Sequence, residues 1–205
     1  MTKTHDLLIG KEWRKSAHTI PVVNPFTQEA FAEVCLAGGQ EIEQAIDLAE
    51  KAFQTTRTQP AYLRSRICTN IARALRERSE EFARTIALES GKPLTYARVE
   101  VERSSSTFEI AAQEALRLDG KLLTLDITEA ARGKAGLTRR RPIGPVAGIC
   151  PFNFPLNLVS HKVAPALACG NPIVIKPASS TPLTALLLGE VISNTEATEG
   201  SFSVV

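Results

Sequence analysis

The spacing of apolar residues changes once in the first half of the chain. Residues 6–36 have the composition of short strands, with turns at Gly10 and at Asn24-Pro25. After Gly38-Gly39, apolar residues recur at intervals of three and four, which is the spacing of an amphipathic helix. The first such series is Ile42, Ala45, Ile46, Ala49 and Phe53. The pattern therefore predicts a strand region followed by helices.

Three more helices are predicted before residue 120. One begins near Pro60 and buries a stripe made of Leu63, Ile67, Ile71, Ala74 and Leu75. The next covers about residues 79–89 and stops at Ser90-Gly91, with Pro93 just beyond. The last runs from about 93 to 118, with an apolar stripe of Ala97, Val101, Phe108, Ala112, Ala115 and Leu116. Together these helices predict a helical layer.

Residues 121–141 have the pattern of a β-hairpin. The piece "KLLTLDI" has strand composition, the following "TEAARGKAG" is polar and weakly patterned, and a return arm is expected at about 135–141. Such a hairpin either pairs with another subunit or lies on the surface of one chain, and the pattern leaves both open. The basic run Arg139-Arg140-Arg141 is interpreted as a solvated lead-in to the next strand, with contact to a charged partner as the alternative.

From residue 143 the pattern alternates between strand and helix. The pieces "IGPVAGIC" and "NPIVIKP" predict two buried strands, while "LNLVSHKVAPALAC", closed by Gly170, and "TPLTALLLGEVI" predict helices. Ser180 or Thr181 is the expected N-cap of the second helix, with Pro182 at its first position. Strand, helix and strand form a βαβ unit, so we expect an α/β fold with a doubly wound parallel sheet. The final "SFSVV" has the composition of a third strand.

Composition narrows the class of protein only slightly. The chain has 43% hydrophobic and 22% charged residues and a net charge of +2, so nucleic acid or membrane partners are not expected. The N-terminus lacks the apolar stretch of a secretory signal, and no apolar run reaches the roughly 18 residues of a membrane span. The four cysteines lie far apart without a CxxC motif, so no metal site or disulfide framework is expected. A cytoplasmic protein fits this composition.

Two polar residues follow the predicted parallel strands. Asn153 comes just after the first strand and Lys176 ends the second, so both belong at the edge where such sheets bind ligands. The helix beginning near residue 182 adds N–H groups that favour an anion or a hydroxyl-rich ligand. Plain structural alternatives stay open: Asn153 tying down its loop, Lys176 reaching solvent, and His161 as a partly exposed helix residue. The residues alone indicate a polar site suited to a nucleotide-like ligand.

The segment from "PIGPVAGICPFNFPLNL" through "IKPASSTPLTALLLGEVI" closely resembles the aldehyde dehydrogenase superfamily. The likeness extends back through "ESGKPLTYARVEVERS" and "NPFTQEAFAEV", and so covers nearly the whole chain. The resemblance implies a Rossmann-like sheet, incomplete in this chain, and NAD or NADP as the cofactor. It also implies oxidation of a small aldehyde to a carboxylic acid through a cysteine thiohemiacetal and thioester. The expected division is the N-terminal strands and helices of the cofactor-binding domain at 1–120, an oligomerisation-type hairpin at 121–141, and the first βαβα part of the dinucleotide-binding sheet at 142–205. The catalytic domain is expected to be absent from this chain, and the full-length form is expected to be a homodimer or homotetramer.

The resemblance also assigns roles to individual residues. Asn153 matches the amide that stabilises the oxyanion, and Lys176 matches the lysine that bonds the adenosine ribose. Ser179 stands where many NAD-preferring members carry a glutamate, so NADP is expected to be accepted. The wall of the cofactor channel and its neighbourhood are matched by Ile149, Cys150, Pro151, Phe152 and Ala178.

Arg103 and Leu158 are the expected substrate-binding residues. Arg103 resembles the substrate-phosphate arginine of NADP-dependent non-phosphorylating glyceraldehyde-3-phosphate dehydrogenases, and the segment around Leu158 resembles theirs as well. Lactaldehyde dehydrogenase-like members share much of "ARVEVERS", so the arginine does not settle the substrate. The plain alternative is an exposed helix arginine paired with Glu100 or Glu102.

The family's nucleophilic cysteine, general-base glutamate and glycine turn for the pyrophosphate have no match among these 205 residues. None of the four cysteines takes the role of nucleophile. Two hypotheses follow: the N-terminal part of an aldehyde dehydrogenase, or a catalytically dead remnant that binds nucleotide weakly or associates with a full-length subunit. An unpaired apolar edge at "FSVV" favours the first. In either case the 205-residue chain alone is expected to be inactive.

Overall fold

The N-terminal strands divide between two sheets in the computed structural model, which describes residues 3–205. The strands are β1 (Lys3–His5), β2 (Leu7–Ile9), β3 (Glu12–Arg14), β4 (His18–Val23) and β5 (Ala30–Leu36). The first, fourth and fifth form a three-stranded sheet of order β1-β5-β4, in which β1 is parallel and β4 antiparallel to β5. β2 and β3 form an antiparallel pair that belongs to a second sheet.

All four predicted helices are present. They are α1 (Gly39–Thr56), α2 (Ala61–Glu77), α3 (Ser79–Ser90) and α4 (Leu94–Ala115). The expected stripes are largely buried, but Ile42 and Ile46 of α1 are 40% and 39% exposed. Leu116 lies just beyond α4 and is 57% exposed. Periodicity identifies the face that these residues share, but the width of the covered strip depends on the neighbouring elements.

The hairpin is confirmed, with shorter arms than expected. Its arms are β6 (Leu122–Thr124) and β7 (Ala135–Leu137), which pair antiparallel with Leu123 opposite Gly136. A short 3₁₀ turn at Glu129–Ala131 lies between them. The return arm ends at Leu137, and Leu122 and Leu137 are both highly exposed. Its role in joining subunits stays a prediction.

The strand–helix alternation after residue 143 is confirmed. Its elements are β8 (Val146–Ile149), α5 (Asn157–Cys169), β9 (Ile173–Lys176), α6 (Leu183–Ser193) and β10 (Phe202–Val204). Gly170 ends α5 with a φ of +81°, a left-handed conformation that glycine adopts without strain. The five-stranded sheet has the order β3-β2-β10-β9-β8, with the last three strands parallel to one another. The fold is α/β, and the antiparallel β2 and β3 make the sheet mixed.

Two predictions about this sheet were wrong. β10 is not an unpaired edge, because it lies between β9 and β2 and all three of its residues are buried. The second wrong prediction is that the strand β8 is buried. This strand lies at the edge of the sheet, where Ala147 is exposed and Ile149 is 75% exposed. The partner of β10 comes from almost the other end of the chain, and local patterns carry no information about such a pairing. The unpaired-edge argument for the first hypothesis therefore does not hold.

Both faces of the inner strands of the five-stranded sheet, β2, β10 and β9, are largely covered. Leu8, Ile173, Ile175, Phe202 and Val204 belong to the main core, together with α5, α6 and the layer of α2, α3 and α4. On the other face, Leu7 and Ile9 pack with Cys35 and Ala45, and Leu48 of α1 completes a smaller cluster. Alternate residues of a strand point to opposite faces, so β2 and β9 each contribute to both cores, β9 through Val174 on the smaller side. Within residues 3–205, no helix is both long and apolar enough to cross a membrane.

Candidate active site

The carboxyl ends of β8 and β9 lie side by side, as the sequence predicted. Ile149 of β8 is in register with Lys176 of β9. The next N–H along the chain, that of Cys150, donates to the carbonyl of Lys176 at 3.0 Å. The loop of residues 150–156, which carries Asn153, therefore starts beside Lys176. One edge of the sheet presents both polar residues.

Asn153 is exposed, and its side chain makes no hydrogen bond to any other residue between 3 and 205. The structural alternative, in which the amide ties down the loop, is therefore wrong. The loop is held instead through the backbone of Asn153, whose carbonyl accepts a hydrogen bond from Lys92 Nζ at 3.0 Å. The amide N–H groups remain available to a ligand.

Lys92 and Glu100 form a buried pair behind this loop. Their side chains are 15% and 1% exposed, and Lys92 Nζ donates to Glu100 Oε2. Glu100 Oε1 accepts from the backbone N–H groups of Leu156 and Asn157 at 2.9 and 3.1 Å, at the start of α5. Lys92 Nζ also lies 4.0 Å from the centre of the Phe154 ring. The sequence interpretation gave neither residue this role.

A second buried glutamate begins α6. Glu89 is 1% exposed and accepts hydrogen bonds from Leu183 N at 2.7 Å, from Thr184 N at 3.1 Å and from the Thr184 hydroxyl. The predicted cap was wrong: α6 begins at Leu183, preceded by Pro182, with no cap from its own segment, and the buried Thr181 hydroxyl has no partner among residues 3–205. The prediction that the start of α6 offers N–H groups to a ligand was also wrong, because Glu89 occupies them.

Burial raises the pKa of Glu89 to about 8. The hydrogen bonds from Thr184 and Leu183 act in the opposite direction, because they favour the ionised carboxylate. The nearby Glu100 carboxylate raises the pKa further. The proton of Glu89 is therefore retained in the folded chain at pH values where an exposed glutamate is ionised.

Lys176 and Ser179 form a small polar cluster after β9. Lys176 Nζ donates to Pro177 O at 3.0 Å and to Ser179 Oγ at 3.4 Å, and both side chains are exposed. Ala178 is half-buried between them. The ammonium and the hydroxyl suit the hydroxyl groups or a phosphate of a ribose, so these residues fit the adenosine end of a dinucleotide. The starts of α5 and α6 do not suit its pyrophosphate, because Glu100 and Glu89 occupy their leading N–H groups.

The expected wall residues are exposed to different extents. Pro151 is exposed, Ile149 and Phe152 are 75% and 63% exposed, and only Cys150 is buried. Three of the four therefore face outward at the open edge beside β8. Their contact with a cofactor stays a prediction.

Arg103 forms no ion pair with Glu100 or Glu102, so the paired alternative was wrong. Its guanidinium carbon lies 5.8 Å from the centre of the Phe154 ring, on the loop residue next to Asn153. The arginine lines an open groove of about 430 Å³, and the other lining residues come from α4 and α5: Glu102, Ser106, Thr107, Ile110, Asn157 and His161. Leu158 is half-buried on α5 and is not among the residues that line this groove.

Three of the four cysteines, Cys35, Cys68 and Cys150, are buried, and Cys169 is half-buried. Burial raises the pKa of Cys68 to about 12 and raises the pKa of Cys150 as well, whereas an attacking thiol needs a lowered value. In the part of the chain that the structure describes, no three His, Cys, Asp or Glu side chains are grouped to hold a metal ion.

Comparison with known proteins identifies the family. The model of the aldehyde dehydrogenase family matches residues 13–205. The chain therefore belongs to the aldehyde dehydrogenase family, as the resemblance had implied.

Three similar proteins show how much of the length of a family member this chain covers. The 3-sulfolactaldehyde dehydrogenase of Priestia aryabhattai is 36% identical over 203 residues, which are 99% of this chain and 42% of that protein. The structure of aldehyde dehydrogenase 21 from Physcomitrella patens with the reaction product succinate matches with a TM-score of 0.97 and 40% identity, covering 100% of this chain and 43% of that one.

The third is the NADP-dependent glyceraldehyde-3-phosphate dehydrogenase of Bacillus halodurans C-125, solved with NADP. It matches with a TM-score of 0.95 and 33% identity, covering 98% of this chain and 43% of that one. The chain thus spans about two fifths of the length of these relatives.

The protonation of Glu89 gives a test of its burial. The folded chain keeps the proton up to a pKa of about 8, while the unfolded chain releases it near 4.5, so stability should fall as pH rises between these values. The fall from this one group is at most about 1.4 kcal/mol per pH unit. Urea unfolding measures this effect. As pH rises across this range, the free energy of unfolding of the wild type should fall relative to that of Glu89→Gln. Glu77→Gln, at an exposed position, is the control, and a difference that stays constant with pH would contradict the assignment.

Proposed function

We propose that this chain is the part of an NAD(P)-dependent aldehyde dehydrogenase that faces the cofactor and supplies the oxyanion-stabilising amide. The complete protein would oxidise an aldehyde to a carboxylic acid. The observation that carries the proposal is the exposed Asn153 amide, which stands at the sheet edge on a loop fixed through its backbone. Membership of the aldehyde dehydrogenase family supports this interpretation.

Asn153 donates an N–H to the aldehyde oxygen as negative charge develops on it. That charge arises when a cysteine thiolate of the complete protein attacks the carbonyl carbon. A fixed neutral donor aimed at such a charge lowers the barrier by about 3 kcal/mol. The nucleophile is none of the four cysteines of this chain.

Lys176 and Ser179 hold the adenosine ribose of the cofactor, NAD or NADP. The dinucleotide, when bound, accepts a hydride from the substrate. The exposed Ser179 is neutral and short, so it does not repel the 2′-phosphate of NADP. The similar glyceraldehyde-3-phosphate dehydrogenase solved with NADP supports acceptance of this cofactor. Ile149, Cys150, Pro151, Phe152 and Ala178 line the same channel.

The substrate class is a small aldehyde with an anionic group at its far end. Arg103 is exposed, free of a carboxylate partner among residues 3–205, and next to the Asn153 loop through its contact with Phe154. A guanidinium in this position can bind a carboxylate, sulfonate or phosphate with paired hydrogen bonds. Two of the similar proteins act on or produce such compounds, 3-sulfolactaldehyde and succinate. A contact between Leu158 and the substrate rests on the family resemblance alone, because this residue does not line the groove of Arg103.

The hairpin at 121–141 joins subunits into a homodimer or homotetramer. Its exposed leucines, Leu122 and Leu137, offer apolar surface for such a contact. Exposed apolar surface of this kind marks interaction sites in folded proteins.

Asn153→Ala tests the function directly in the complete protein that contains this segment. The loss of one oxyanion donor should slow acylation, followed as the burst of reduced cofactor, by about 100-fold or more. Asn194→Ala, at the exposed far end of α6, is the matched control and should leave the rate unchanged. The isolated 205-residue chain serves as a blank that turns over no aldehyde. Full-rate acylation by the Asn153 variant would refute the proposal.

Ser179→Glu tests cofactor recognition. A carboxylate at this position should repel the 2′-phosphate and weaken NADP binding by about 10-fold or more, which requires only about 1.4 kcal/mol. The effect on NAD should be smaller, because NAD has no 2′-phosphate. Fluorescence titration with each dinucleotide measures both constants. Ser179→Gln has the same added length without the charge and separates repulsion from steric hindrance. NADP binding that is the same in Ser179→Glu and wild type would sink the assignment.

Arg103→Leu tests the substrate class. The variant should raise KM for an aldehyde bearing a carboxylate or sulfonate by about 10-fold or more, since it removes a charge-assisted contact. A neutral aldehyde of similar length should keep its KM, and Arg84→Leu on neighbouring α3 should change neither value. Equal changes for charged and neutral aldehydes would show that Arg103 does not bind the anionic group.

A further inference from the structure

The direction of the Asn153 amide depends on the backbone of its loop. The side chain makes no hydrogen bond to other residues between 3 and 205, so nothing in this part of the chain restrains the amide itself. The direction of the amide therefore depends on where the loop places the backbone of Asn153. A loop that presents a catalytic donor must hold it within a fraction of an ångström of the productive position.

The loop backbone is fixed at three points. At its start, Cys150 N bonds to Lys176 O at 3.0 Å. At its centre, Lys92 Nζ bonds to Asn153 O at 3.0 Å. At its end, Glu100 Oε1 accepts the N–H groups of Leu156 and Asn157. The second and third points belong to the same ion pair, because Glu100 Oε2 receives Lys92 Nζ.

We infer that Lys92 and Glu100 are positioning residues, whose buried ion pair orients the Asn153 amide toward the aldehyde oxygen by clamping the loop from behind. The inference rests on the proposed role of Asn153. It extends that role to two residues that touch neither substrate nor cofactor.

Burial makes this clamp rigid. Glu100 is 1% exposed, and each of its carboxylate oxygens accepts from a different part of the clamp: one from the start of α5, the other from Lys92. The ammonium of Lys92 is therefore drawn to a fixed point, and its remaining hydrogen-bonding capacity goes to Asn153 O. The two charges also compensate each other, as buried charges must.

Phe154 adds a second restraint on the same peptide. The centre of its ring lies 4.0 Å from Lys92 Nζ and 5.8 Å from the guanidinium carbon of Arg103. Cations attract the faces of aromatic rings, so these contacts hold the residue directly after Asn153. The peptide unit between Asn153 and Phe154 is thus held by Lys92 at its oxygen and by two cations at the following side chain.

The decisive variant is Lys92→Met combined with Glu100→Gln, in the complete protein. The glutamine oxygen can still accept from the start of α5, while methionine removes the bond to Asn153 O without leaving a buried charge. Acylation should slow by about 10- to 100-fold with little change in KM, as expected for a displaced catalytic group. The exposed pair Arg98–Glu80, changed to Met and Gln, is the matched control and should leave the rate unchanged.

Coupling to Asn153 separates positioning from simple stabilisation. In an Asn153→Ala background the same double change should slow acylation by less than about 2-fold, because residues that act as one unit are not additive. An equal slowing in both backgrounds would overturn the inference, and so would the absence of any slowing in the wild-type background. Undiminished acylation in Asn153→Ala alone would instead refute the proposed function.

Lys92→Arg keeps the buried pair charged and guards against a double variant that does not fold. Arginine restores a cation beside Glu100 but places its N–H groups differently relative to Asn153 O. The expected result is a rate between those of the wild type and the double variant, again with little effect once Asn153 is alanine. Slowing by Lys92→Arg that persists unchanged without the Asn153 amide would contradict the inference.

Discussion

Two buried glutamates connect the helical layer to the starts of α5 and α6, and the candidate site depends on both contacts. The first turn of a helix leaves backbone N–H groups without partners inside the helix, and burying them without acceptors destabilises the fold. Glu100 on α4 accepts those of α5, and Glu89 on α3 accepts those of α6. Each carboxylate therefore sets where a helix begins, and with it the course of the loop that follows β8 or β9.

The same contacts decide how the sheet edge can bind a dinucleotide. In many α/β sheets, the first N–H groups of a helix hold a phosphate. Here the carboxyl groups of Glu100 and Glu89 occupy them, so these N–H groups are not free to bind a phosphate. The polar side chains that stand clear of the helix starts at this edge are Lys176 and Ser179, the groups that we propose recognise the cofactor. These groups suit a ribose, and the absence of a glutamate at position 179 leaves room for a phosphate on it.

Much of this fold follows from local patterns, and the remainder depends on partners distant in sequence. The helices and the βαβ unit were predictable because apolar spacing determines which residues share a face. The pairing of β10 with β2 was not, since it joins opposite ends of the chain. A sign of the buried glutamates was present: Glu100 lies on the stripe of Ala97 and Val101, and Glu89 follows Ile86 by three residues. A charge on a buried stripe needs a partner, but its identity depends on the tertiary structure.

The exposure of Asn153 changes what the motif "PFNFP" signifies. An amide that tied down its own loop would have its N–H groups engaged, and a substrate would have to compete for them. In this chain Lys92, Glu100 and the ring of Phe154 restrain the loop, so the amide is left with its donors unused. A donor that needs no rearrangement at the moment of reaction stabilises a developing charge most effectively. The ion pair behind the loop therefore restrains the backbone of Asn153 while its side chain stays exposed.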